Sequence, residues 1–192
     1  MLFLLSSIMI SLVPAQKINF GAYTTSQGIT LMNSSNYLNF NNKQPVLVSQ
    51  ANQTVTIALT DNEAQYVRID ADATRDITIT IAYPTNLIIG AGGVGNQIPF
   101  TCNFAYSNLG ISDASTAKLS AVQIPSGFTA ITLPMLKRAS GVPLPPPTPA
   151  HGGYTAPSAT AYLFLYGTLG PIGNVNAGYY TGMINVTVDY TK

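Results

Sequence analysis

The sequence predicts an all-β fold, an antiparallel β-sandwich of about ten short strands. Three observations point there. Residues 179–190 alternate, with Tyr180, Ile184, Val186, Val188 and Tyr190 on one face, Gly182 between them, and Asn185, Thr187 and Asp189 on the other. Residues 76–83 repeat the pattern, setting Ile77, Ile79, Ile81 and Tyr83 against Thr78 and Thr80. Period-two alternation of β-branched and aromatic residues marks a half-buried strand. Between such runs, turn residues recur at short intervals, which is the spacing of sandwiches and barrels.

In chain order, the first strand is residues 17–23. A short apolar run at 45–49 follows. Residues 53–60 alternate with Val55, Ile57 and Leu59 inward, and 65–71 follow the turn Thr60-Asp61-Asn62-Glu63. The 76–83 strand ends at Pro84, because proline cannot donate to a ladder. Residues 87–89, 98–106, 128–133, 161–168 and 179–190 complete the set. Residues 114–123, which Ser112-Asp113 could cap, are the one candidate helix, but their apolar pattern is weak and a helix there is not the favoured reading. Residues 134–157 hold seven prolines, including Pro145-Pro146-Pro147, and lie between two strands. They read as a long inserted loop with an extended, polyproline-like path. It is a surface insertion or a contact arm to a neighbouring subunit.

Residues 1–15 read as a secretory leader. Leu2 to Val13 is apolar apart from Ser6, Ser7 and Ser11, and Val13-Pro14-Ala15 offers the small residues of a cleavage site. Cleavage after Ala15 leaves Gln16 first and one domain over 16–192. The apolar run is short for a membrane span, so no span is expected once the leader is removed. A retained apolar arm is the rival reading.

Only 8% of residues are charged and the net charge is +1, against about 25% charged residues in ordinary domains. Without a basic patch, nucleic acid is not an expected partner. Thr, Ser, Asn and Gln make the polar surface instead. That composition suits an extracellular or assembling protein better than a free cytosolic one.

No set of residues points to catalysis. The lone Cys102 lies in a strand-like run and reads as a small buried hydrophobe, with no disulfide within the chain. Gly90-Ala91-Gly92-Gly93-Val94-Gly95 matches the dinucleotide fingerprint, yet Pro99 follows so soon that no helix can start there to meet a pyrophosphate. It reads as a glycine turn. His151, the only histidine, sits in the proline-rich loop with nothing to orient it as a base, and no nucleophile elbow occurs. Asp61, Glu63, Asp70, Asp72 and Asp76 do not match a calcium loop and are interleaved with Arg68 and Arg75, so they read as charged turns. Asn33, Asn52 and Asn185 head glycosylation sequons. No cofactor and no metal are expected.

Three passages resemble one group of bacterial surface domains. Ile18-Asn19-Phe20-Gly21-Ala22-Tyr23 is similar to the opening strand of domains related to spore coat protein U, through Ile18, Phe20, Gly21 and Tyr23. Residues 68–83 are similar to the middle of a pilin-like domain family of unknown function. Residues 163–190, with Gly178 and Tyr190 twelve apart, resemble the last two strands of archaic chaperone–usher pilins. The resemblance covers about half the chain and departs from the family in lacking its paired cysteines. It implies an incomplete immunoglobulin-like sandwich completed by a strand from a periplasmic chaperone or a neighbouring subunit. If Gln16 is the first residue, the chain carries no spare donor strand, and a self-complete domain is expected; a retained residue 1–15 arm would supply one. The expected function is a non-catalytic cell-surface subunit of a pilus, filament or surface layer, assembling through strand and loop contacts. Gly178, Tyr180, Ile184, Val186, Val188 and Tyr190 form its closing strand. The alternative is a secreted adhesin module that binds carbohydrate or another surface.

Overall fold

The structure is a computed structural model and describes residues 16–44, 46, 52–139 and 156–191. It is all-β, with 53% of the described residues in strands and 6% in helix. The elements are β1 (Lys17–Tyr23), β2 (Thr30–Asn33), β3 (Tyr37–Asn39), α1 (Phe40–Lys43), β4 (Gln53–Ile57), β5 (Gln65–Asp72), β6 (Asp76–Ala82), β7 (Asn86–Ile88), β8 (Gln97–Ser107), α2 (Ala114–Leu119), β9 (Val122–Ile124), β10 (Ala130–Pro134), β11 (Ser158–Ile172) and β12 (Thr181–Tyr190).

All twelve strands join in one curled sheet, ordered β10-β6-β12-β7-β8-β11-β5-β2. To this path β1 adds beside β12 and carries β3, β4 adds beside β11, and β9 adds beside β8. The sheet has two limbs. One is β3-β1-β12-β6-β10 and the other is β9-β8-β11-β5-β2 with β4. β7 links them, pairing Ile88 with Thr181 of β12 and Leu87 with Ile98 of β8.

Alternation explains which side chains are buried. β4 and β6 bury every second residue, among them Val55, Ile57, Ile77, Ile79 and Ile81. Each such side chain contributes roughly 1.5–3 kcal/mol when taken from water. β11 differs, because Ala161 through Gly167 are all buried. A near-continuous apolar strand is covered on both faces. Here the second cover includes α2, which packs on β8 and β11. The Tyr162 hydroxyl donates to the Ser112 carbonyl just before that helix, and Ala117 in it is fully buried. The disfavoured helix does form, starting after Asp113, whose carboxylate accepts from Thr116 N at 2.7 Å. It stops at Leu119, short of 123, because the chain turns there into β9.

Several expectations need correction. The strands number twelve among the described residues, and β8 and β11 run for 11 and 15 residues, so they are not uniformly short. The sheet is not wholly antiparallel, since β1 runs parallel to β12 over seven paired residues. Leu59 and Tyr83 are only partly buried and lie outside strands. β2, β3 and α1 fall where no element was expected, and β9 takes up the end of the 114–123 candidate helix. The run at 45–49, the leader at 1–15 and most of the proline-rich loop at 134–157 lie outside the described residues. At the loop's margins, Pro134 pairs with Asp76 in β10 and Pro157 precedes β11.

Candidate assembly site at the terminal strands

The two passages singled out near the ends of the sequence lie side by side. β1 and β12 pair from Lys17 opposite Thr181 to Tyr23 opposite Thr187. Ile18 and Phe20 of β1 are buried, as are Ile184, Val186 and Val188 of β12. In the register, Phe20 faces Ile184 and Ala22 faces Val186. Gly182 interrupts the apolar alternation for a steric reason: a Cβ there would lie 2.9 Å from both Leu87 Cδ2 and Pro84 Cγ.

Polar contacts fix the ends of this pair. The side chain of Gln16 is buried; its Nε2 donates to Gly178 O at 3.3 Å, and its Oε1 accepts from Tyr180 N at 3.1 Å. Tyr180 is fully buried, and its hydroxyl lies within donating distance of the carbonyls of Gly95 (2.9 Å) and Asn176 (2.8 Å). Gly178 passes tightly against the Ile89 side chain. At the other end, Asp189 Oδ1 gathers the turn that follows β1. It accepts from Thr25 N at 2.8 Å, Thr25 Oγ1 at 2.9 Å and Ser26 N at 3.0 Å. Those bonds, the Thr25 amide first, hold the Asp189 carboxyl below its ordinary pKa.

Two of the residues singled out in the sequence lie away from the centre of the core. Tyr190 does not fill the core. It is half-buried at the core's margin, with Arg75 stacked on its ring at 3.6 Å. Its hydroxyl donates to Gly28 O at 3.2 Å and accepts from Asp72 N at 3.0 Å. Tyr23 lies exposed on the outer face, folded over Gly21, where any Cβ would collide with its ring.

Among the described residues, nothing covers that outer face. Cross-strand partners share a face, so the register places Tyr37, Asn19 and Met183 in one row, and Asn39, Lys17, Thr181 and Ile88 in the next. Tyr37, Met183, Ile88 and Tyr23 are all exposed. Lys17 is the one charge on these two rows, and its ammonium sits over the Tyr37 ring at 4.6 Å. A further exposed tyrosine, Tyr179, leads into β12. Hydrophobicity on this face carried a sequence signal only at Met183, the odd apolar residue among Thr181, Asn185 and Thr187.

The other candidates are accounted for structurally. Cys102 is buried, and burial pushes its thiol pKa up, away from the nucleophilic thiolate. Gly90 to Gly95 form the turn between β7 and β8, closed by Gly92 N to Ile89 O and Asn96 N to Gly93 O. Gly90, Gly92, Gly93 and Gly95 all have positive φ, which only glycine adopts freely. No helix begins there. Asp61 pairs with Lys43 at 2.8 Å and Asp70 with Arg68 at 2.9 Å, while Asp76 pairs with Arg138. Asp72 accepts from Thr74. Among the described residues no three or more His, Cys, Asp or Glu side chains converge as a metal site, and no helix is long and apolar enough to cross a membrane. His151 lies outside the described residues.

No protein-family model matches the chain, and no curated protein matches it.

Proposed function

We propose that this protein is a non-catalytic structural subunit, exported to the cell surface, that works by associating with further copies of itself or with related subunits. The observation that carries this reading is the outer face of β3-β1-β12-β7, which no other described residue covers and where Tyr37, Met183, Ile88 and Tyr23 are exposed together. Exposed apolar patches mark interaction surfaces. A second copy is the favoured occupant, because a chain with 8% charged residues and a net charge of +1 offers little repulsion between copies.

The place beside β12 is already taken by β1 of the same chain. This supports a domain that folds complete and associates through its surface, rather than one that waits for a chaperone strand. The edges of β2, β3 and β10 each pair on one side among the described residues, and such edges add lateral contacts by strand pairing. Negative-stain microscopy of the source cells and of the purified protein tests the reading. Filaments or arrays in both are expected. Dispersed single particles in both would overturn it.

A further inference from the structure

On the second limb, away from the terminal strands, lies an open cleft of about 490 Å³ lined by Asn103, Gln123, Ile124, Pro125, Ser126 and Tyr166. This volume falls within the roughly 300–1,000 Å³ of small-molecule sites. Its floor crosses three neighbouring strands. Tyr166 of β11 pairs with Asn103 of β8, and Gln123 of β9 pairs with Ala105, two residues further along β8. Paired residues share a face, and so do residues two apart on one strand, which places Tyr166, Asn103 and Gln123 together. Pro125 and Ser126, just after β9, make the wall.

The chemistry of the lining is specific. No charged side chain contributes, so nothing there selects a phosphate, a carboxylate or a cation. Two carboxamides and two hydroxyls are offered, and each of the four both donates and accepts. None of the four has a hydrogen-bond partner among the described residues. Burial holds the Tyr166 phenol above its ordinary pKa, so it remains a proton donor. Its ring, with Ile124 and Pro125, supplies apolar surface beside these groups. A ligand that matches must be neutral, rich in groups that donate and accept at once, and apolar between them. Sugar rings have that character: ring hydroxyls at the edge and C–H bonds on the face.

We propose that this cleft binds a neutral saccharide, with Asn103, Gln123, Ser126 and Tyr166 bonding its hydroxyls. The floor is built on strands, which hold side chains in fixed geometry better than loops do. The site shares no strand with the face proposed for assembly, so either claim can fail alone.

The test is a titration of isotope-labelled protein with cellobiose, maltose and lactose, followed by amide resonances. At least one sugar should give saturable shifts centred on Asn103, Gln123 and Ser126. Tyr166→Phe, which keeps the ring and removes the hydroxyl, should weaken that binding about 2- to 10-fold. Gln123→Ala, at an exposed position on an edge strand, should weaken it by a similar factor while leaving the spectrum folded. No saturable shift with any of the sugars would overturn the proposal. So would unchanged affinity in both variants, or stronger shifts of the same resonances with triglycine.

Discussion

Val186 and Thr187 are neighbours on β12 and should respond oppositely to the same substitution. Val186 is fully buried, opposite Ala22 and Ile81. Val186→Asp places an unpaired charge in the core at a cost of about 3–5 kcal/mol, a large share of a domain's roughly 5–15 kcal/mol. Thr187→Asp, on the outward side beside Thr80 and Tyr23, should stay within about 0.5 kcal/mol of the parent. Thermal melts of the two variants check this, and equal stability would show the register to be wrong. Asp189 makes the second prediction. Its folded-state pKa is depressed by the amides and hydroxyls of Thr25 and Ser26. The stability it contributes is present above the unfolded value of about 3.9 and is lost as pH falls through the folded one. The stability gap between the parent and Asp189→Asn should therefore be full at neutral pH and close in acid. Melts across pH measure it, and a gap independent of pH would refute the role. Inward residues such as Ile184 and Val188 were legible because alternation depends on adjacent sequence. The turn bound by Asp189 was not, since its partners lie 163 to 165 residues away.

Strands with strong alternation were found nearly at their bounds, as β1 and β6 illustrate. Those missed have no such pattern. β3 and β9 are three residues each, and β2 exposes three of its four residues, so none writes a buried face into the sequence. β11 was seen only at its centre, over 161–168, and Gly170 and Pro171 just beyond look like breakers. The register instead shifts between Leu169 and Ile172, and an irregularity of this kind accommodates both glycine and proline. Gly167 then has a packing duty that sequence alone cannot reveal. A Cβ there would strike the Thr101 carbonyl oxygen and lie 3.3 Å from Cys102 Cα. Those are backbone atoms of the neighbouring strand and cannot move aside cheaply. Gly167→Ala should cost about 1–3 kcal/mol, whereas Gly173→Ala, with nothing within 4 Å of the added carbon, should be near neutral. Urea denaturation of the pair decides it, and equal midpoints would contradict the packing argument. The parallel pairing of β1 with β12 was equally hidden, because periodicity says which face is buried but not which strand lies alongside.

At the scale of the molecule, the low charge and the Thr- and Asn-rich surface already argued for association, while the surface proposed to carry it emerged only when distant strands were placed together. Tyr23, Tyr37, Ile88 and Met183 are far apart in sequence and unremarkable singly. They form one face because β3, β1, β12 and β7 stand side by side. The most direct measurement is sedimentation velocity of the parent and Met183→Asp over a roughly hundredfold range of protein concentration, since association shifts with concentration by mass action. Met183 is exposed, so the substitution should leave the melting temperature unchanged. The parent should sediment faster as concentration rises, and Met183→Asp should remain a monomer throughout. A parent that stays monomeric over the whole range, or a variant that associates as the parent does, would contradict assembly through this face.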